Sequence, residues 1–269
     1  MMPRRDGPPA EDRVAVAGTA PEIRPEASEA KPRPNERLRI VVTGASRGLG
    51  LEFARQWLAA GQRVFALARD PKGSEGLGAL SREHPEALLS LTCDVTDEAS
   101  IRQAAGAVSE RVDGLEIVLN NAGVGGWRGG IGQLDLDEVR EVFETNTLGP
   151  LRVSREFLPL LRRGREPRRL VHITSLMGSI GDNRSGGSYA YRISKAALNM
   201  VSVNLAHELG DDEIISVVLH PGWVRTDMGG RGASLAVDEA VGALIDTIDD
   251  LTAEHSSGFY DRLGEPLPW

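Results

Sequence analysis

The chain is short of several things, and each shortage narrows what it can be. It holds one cysteine, Cys93, in 269 residues, so no internal disulfide can form. That usage suits a reducing compartment, and a cytoplasmic location is expected. No run approaches the ~18 consecutive apolar residues of a membrane-spanning helix, so no span is expected. Positive charge is in deficit, with 31 Lys and Arg against 39 Asp and Glu and a formal net charge of -8. This argues against a general nucleic-acid or anionic-membrane binder. The five histidines, His84, His172, His207, His220 and His255, show no metal-ligand spacing, and they read as ordinary surface, helix and strand residues. No metal is expected. A Gly-x-Ser-x-Gly elbow is also missing, which leaves a hydrolase triad built on Ser175 little support. No internal repeat is present.

What is there is ordinary in bulk. Hydrophobic residues make up 41% and charged residues 26%, enough for a core of normal size. Residues 1–36 differ from the rest. They carry Pro3, Pro8, Pro9, Pro21, Pro25, Pro32 and Pro34 without any apolar period. They read as a disordered tail or as an upstream start assigned in error, with the fold beginning near Arg37.

From there apolar, β-branched runs alternate with helical patterns. Strands are expected over 38–43, 63–68, 88–92, 115–119, 169–174 and 214–219, with a short edge strand near 258–260. Helices are expected over 51–60, 74–83, about 96–111, 136–163, 188–208 and 237–251. This alternation predicts one α/β domain over 37–269: a Rossmann-type, doubly wound parallel sheet with helices on both faces.

The first strand ends in Thr43-Gly44-Ala-Ser46-Arg47-Gly48-Leu49-Gly50, and a helix follows. Strand, glycine turn and helix together place a pyrophosphate on a helix N-terminus. Gly44 permits the tight turn, Gly48 a close backbone approach, and Gly50 close helix–strand packing. About 20 residues further on, an NAD site offers an acid to the ribose hydroxyls. Here that position is Ala68, followed by Arg69. A guanidinium there can pair with a 2′-phosphate, and Arg47 adds a second cation. The pattern favours NADP(H) over NAD(H). Asp94, at a strand end before Val95, is placed to bond an adenine amine, or else to serve as a turn acid or cap. Asn120-Asn121-Ala122-Gly123 ends another strand at the edge where open α/β sheets bind ligands.

Pro150 falls inside the expected 136–163 helix. It has no N–H to give the carbonyl of Asn146, four residues back, so the helix should kink and leave that carbonyl free. Ser175 sits at the carboxyl end of the fifth strand, with Ser179 further past it. Tyr191 and Lys195 are four apart on a helix and so share a face. A phenol with a pKa near ~10 is a poor acid or base at neutral pH, and a neighbouring ammonium lowers that value. Trp127, Trp223 and Met228 either line an apolar pocket or serve as packing residues.

The set Thr43-Gly-x-x-x-Gly-x-Gly50, Asn120-Asn-Ala-Gly123, Ser175, Tyr191-x-x-x-Lys195 and Pro221-Gly222 resembles the short-chain dehydrogenases/reductases, from Leu38 to the C-terminus. The closer likeness is to the C-factor (C-signal) branch with its sniffer-type carbonyl reductases. It rests on Ala190-Tyr-Arg-Ile-Ser-Lys-Ala-Ala-Leu-Asn-Met200, His220-Pro-Gly-Trp-Val-Arg-Thr-Asp-Met-Gly-Gly230 and Pro268-Trp269.

The resemblance implies a catalytic tetrad of Asn146, Ser175, Tyr191 and Lys195, acting on a small carbonyl or alcohol with NADP(H). Tyr191 exchanges the proton and Ser175 bonds the same oxygen. Lys195 binds the nicotinamide ribose and depresses the Tyr191 pKa, while the Asn146 carbonyl holds a water. Asn121, Ala122, Gly123, Pro221, Val224 and Thr226 would line the cofactor, and a homodimer or homotetramer is implied. The gap between Ser175 and Tyr191 is longer than in many members of the family. A developmental or intercellular signalling role on the same fold is the alternative that the C-factor likeness raises.

Overall fold

The computed structural model describes residues 21–23 and 37–269. Seven parallel strands form one sheet in the order β3-β2-β1-β4-β5-β6-β7. They are β1 (Arg39–Thr43), β2 (Arg63–Ala68), β3 (Leu88–Thr92), β4 (Ile117–Asn120), β5 (Arg168–Ile173), β6 (Ile214–His220) and β7 (Phe259–Asp261). Because crossover helices cover both faces, the central strands carry apolar residues in unbroken runs rather than in alternation. Ile40, Val41 and Val42 of β1 are all fully buried.

Alternation along each strand divides the core in two. Ile40 and Val42 pack with Phe53, Trp57, Val241 and Leu244, on α1 (Gly48–Ala59) and α7 (Val237–Asp249). Val41 and Val118 face Ile101, Val153 and Phe157, on α3 (Glu98–Ser109) and α5 (Gly149–Leu161). Strand β1 pairs with β2 on one side and β4 on the other, so the strand order reverses there and a crevice opens at the carboxyl ends of β1 and β4.

Side-chain caps mark where helices begin. Ser74 caps α2 (Glu75–Glu83), Asp97 caps α3 and Asp135 caps α4 (Leu136–Phe143). The expected 136–163 helix is three pieces: α4, a π-helical turn over Glu144–Leu148, and α5, which carries Pro150 in its first turn. The break therefore lies ahead of the proline instead of as a kink at it. Pro150 cannot donate to Asn146, and its ring crowds that carbonyl; a widened turn relieves both.

At the opposite end of the sheet a buried ion cluster ties three segments. Glu116 accepts from the Arg39 side chain (2.5 and 3.1 Å) and from Arg165 Nε (3.2 Å). Burial alone would raise the Glu116 pKa, but these bonds hold it below the ordinary carboxylate value.

The expectation of a tail over 1–36 falls mostly outside the described residues, but Ile23 corrects part of it. Its side chain is 4% exposed and joins the α1/α7 core, and its N–H donates to the Gly264 carbonyl at 3.0 Å. One β-branched side chain with a pocket to fill docks despite its proline-rich flanks.

Candidate active site

The carboxyl ends of β1, β4, β5 and β6 bring the expected residues to one edge. In the glycine turn, Gly44 and Gly48 take positive φ (+66° and +54°), where a side chain would be strained. A Cβ on Gly50 would meet the Gly44 carbonyl at 2.4 Å, so only glycine lets α1 sit this close to β1.

Helix α1 begins at Arg47 without a side-chain cap, unlike α2, α3 and α4. Its first-turn N–H groups are free of intrahelical partners and suit an anion. Ser74 Oγ donates to the Ser46 carbonyl (2.7 Å) and braces the turn. Arg47 pairs with Asp227 at 3.3 Å, but both side chains are largely exposed, so the pair is weak and the guanidinium can turn to a phosphate. Arg69 is exposed at the end of β2 beside Ala68. Asp70 is turned away, accepting from the Gly73 N–H at 2.9 Å. An uncapped helix, two cations and no acid at position 68 fit a phosphorylated dinucleotide.

Two residues expected to touch the cofactor are held in the scaffold. Asn121 Nδ2 donates to the Thr43 carbonyl (2.8 Å), locking β4 to the glycine turn. Asp94 Oδ1 accepts from the N–H and the hydroxyl of Thr96 (2.9 and 2.8 Å), a local turn role. Val95 is buried against Gly149, and Leu49 packs on the α1/α7 core. On the far side, Pro221 and Gly222 lead into a loop pinned by a bridge between Val224 and Leu235. There Thr226 Oγ1 accepts from the Gly229 N–H (3.1 Å), and its methyl lies 3.5 Å from where a Gly48 Cβ would stand.

The tetrad candidates gather around α6 (Tyr189–Glu208). Lys195 is 4% exposed, and its Nζ donates to the Ile173 carbonyl at 2.9 Å. That ammonium lies 5.7 Å from the Tyr191 ring centroid. Asn146 is fully buried in the π-helical turn. Its Oδ1 accepts from the Val124 N–H (2.8 Å), and its Nδ2 donates to the Val124 carbonyl (2.9 Å) and to Ser194 Oγ (3.0 Å). Gly123 threads between them; a Cβ there would stand 3.3 Å from Asn146 Oδ1 and 3.6 Å from Lys195 Nζ. Ser175 caps the short turn after β5, accepting from the Met177 N–H at 3.1 Å. Ser179, further past the strand end and so the weaker candidate for the serine role, is buried, its hydroxyl accepting from the Asp182 N–H (2.9 Å).

The electrostatics differ from expectation in one respect. Burial raises the Tyr191 pKa, and the groups that pull it back are Ser175 and Arg128, not Lys195. Lys195 lies over the ring face with its donor turned to the Ile173 carbonyl. Burial pushes Lys195 itself down to about 8.

Three supports have partners that the sequence does not reveal. Ser194 Oγ donates to the Tyr191 carbonyl (2.8 Å) and ties Tyr191 to Asn146. His172 is fully buried beside Asn120, whose Nδ2 lies 3.2 Å from His172 Nδ1. Burial first, and the charge of Lys195 second, push that imidazole down to about 3, so it is neutral. Trp269 lies 5.4 Å from Phe259, ring to ring, and its carbonyl accepts from the Gly181 N–H at 2.6 Å. This moors the 181–187 loop.

Comparison with known proteins decides the family. The short chain dehydrogenase family matches residues 39–234. This chain belongs to the short-chain dehydrogenases. The C-signal protein of Myxococcus xanthus is 45% identical over 155 residues, spanning 58% of this chain and 93% of that protein. A solved NADPH-bound carbonyl reductase from chicken fatty liver superposes with a TM-score of 0.82 at 37% identity, covering 87% of this chain and 95% of the other. The carbonyl reductase Sniffer of D. melanogaster gives 0.83 at 31%, covering 87% and 100%. The short-chain dehydrogenase fold and its oxidoreductase character are therefore shared. Among the described residues, no helix is long and apolar enough to cross a membrane.

Proposed function

We propose that this chain is an NADP(H)-dependent carbonyl reductase or alcohol dehydrogenase in which Tyr191 exchanges a proton with the substrate oxygen. The observation that carries this reading is the buried Lys195 ammonium, wedged between Ile173, Gly123 and the Tyr191 ring. A desolvated charge on one hydrogen bond is costly, and such groups collect where chemistry uses them.

Bound cofactor supplies the hydride. Tyr191 gives the proton in reduction and takes it back in oxidation, while the Ser175 hydroxyl donates to the same oxygen. Lys195 holds the nicotinamide ribose. The backbone carbonyl of Asn146, which Pro150 cannot engage, accepts from a water that connects Lys195 to solvent. Arg47 and Arg69, with Ala68 in place of an acid, support NADPH over NADH. Exposed apolar side chains on α4, α5 and α6 (Leu136, Leu151, Met200) support assembly through these helices.

Titration with NADPH and NADH, followed by steady-state assay on a carbonyl panel, tests the reading. NADPH should bind tighter. Tyr191→Phe should keep cofactor affinity and lose roughly 10²–10⁴-fold in turnover. Tighter NADH binding overturns the preference, and equal turnover by the variant overturns the mechanism. The likeness to C-signal supports a second reading, a signalling role on the same fold. Cofactor binding without turnover of any carbonyl or alcohol would favour it.

A further inference from the structure

The rim of the site carries a cation that the mechanism above does not use. The 124–130 loop closes on the start of α6. A Cβ on Gly126 would stand 3.1 Å from the Ala190 methyl, one residue before Tyr191. Gly187, on the facing loop, lies under the carbonyls of Arg128 and Gly129, 3.6 and 3.8 Å from its notional Cβ. On the third side, Arg128 Nη2 donates to the Met228 carbonyl at 3.2 Å, and the Met228 side chain lies against Gly125. Arg128 thus stands where three loops converge above Tyr191, and its charge is felt at the phenol.

Three other charges near the rim, Glu138, Asp227 and Arg192, have partners. Glu138 accepts from the Trp127 N–H (2.7 Å), and Asp227 pairs with Arg47. Arg192 is engaged by the carbonyls of Gly186 (3.3 Å) and Met177 (3.2 Å) and by Ser185 Oγ (2.9 Å). Among the described residues no carboxylate pairs with Arg128. Around it Trp127, Trp223 and Met228 leave apolar surface exposed. A guanidinium offers a planar fork of donors that matches a carboxylate, and one nitrogen anchored to a backbone carbonyl leaves the rest of the fork free.

We propose that Arg128 is the specificity-determining residue of the substrate mouth, selecting carbonyl substrates whose apolar body carries a carboxylate. This rests on the reductase reading: the carbonyl goes to Tyr191 and Ser175, the apolar body lies against Trp127 and Met228, and the carboxylate meets Arg128. A neutral substrate of the same shape leaves the guanidinium without its partner.

The test compares acids with their methyl esters. Para-acetylbenzoate, phenylglyoxylate and a phenyl ketone with a longer carboxylate chain, each beside its ester, are assayed with NADPH on wild type, Arg128→Gln and Arg128→Lys. Para-isopropylbenzoate and its ester, which cannot react, are titrated calorimetrically into the NADP⁺-bound protein. At least one acid should exceed its ester by roughly ten- to a hundredfold in kcat/KM, as a charge-assisted bond allows. The ratio should fall toward one in Arg128→Gln and partly recover in Arg128→Lys. Using the ratio cancels any effect of the substitution on Tyr191 itself.

The isopropyl acid should bind tighter than its ester in wild type only. Acids and esters treated alike in both turnover and binding overturn the proposal and leave the reductase reading intact. Acid-selective binding that depends on Arg128, with no turnover of any ketone, upholds the anion site and overturns the reductase reading. A preference that survives unchanged in Arg128→Gln assigns selection elsewhere and overturns the proposal.

Discussion

At the scale of single residues, Lys195 is a charge buried inside the site. Its folded pKa near 8 lies below the ordinary lysine value of about 10.4. Below pH 8 both folded and unfolded chains are protonated there, and burial costs the fold about 3 kcal/mol by that difference. Between the two values the unfolded chain binds more protons, so stability should rise with pH through that window. Lys195→Met should flatten this rise and raise the melting temperature of the cofactor-free protein near neutral pH, while turnover is lost. A variant that melts lower, with the pH slope intact, would show that the Ile173 bond outweighs desolvation.

Much of this neighbourhood was legible in the sequence, because glycine spacing and the i, i+4 pair are local signals. Ser194 and His172 were not legible. A serine in a helix and a histidine in a strand show their partners only after α6 packs against the π-helical turn and β5 lies beside β4.

At the scale of elements, alternating apolar runs and helical periods placed every strand to within about two residues, since parallel strands buried on both faces leave a continuous apolar trace. The π-helical turn left no such trace. Only Pro150 hinted at it, and the proline's effect shows ahead of it in the chain. Pro150→Ala restores an N–H that can reach the Asn146 carbonyl. Interior proline costs about 3 kcal/mol relative to alanine, and the widened turn already relieves part of that. The variant should melt at the wild-type temperature or above, while the steady-state rate drops and cofactor affinity holds. Melting temperature and rate falling together would mean that the proline serves packing alone.

At the scale of the whole molecule, the succession of strands and helices was readable but the fold's perimeter was not. Ile23 carries no periodic signal, because a lone residue docking from a proline-rich stretch has no pattern to repeat. Burying such a side chain contributes roughly 1.5–3 kcal/mol. A chain starting at Pro21 should melt like the full protein, whereas one starting at Arg37 should melt several degrees lower. Gly264→Ala should imitate that loss, since a Cβ there would stand 2.7 Å from the Ile23 Cβ. Equal melting curves for all four proteins would show that the Ile23 contact contributes nothing.

The mooring of Gly181 by Trp269 sets a clock for the 181–187 loop. The loop's first amide is shielded by the backbone oxygen of Trp269, which is held in turn by its ring against β7, a strand of three residues. Deuterium can replace that amide hydrogen only when the bond lets go. The exchange rate at Gly181 therefore counts how often the loop unhooks, and it should follow the fraying of the sheet's last strand rather than the global unfolding of the domain.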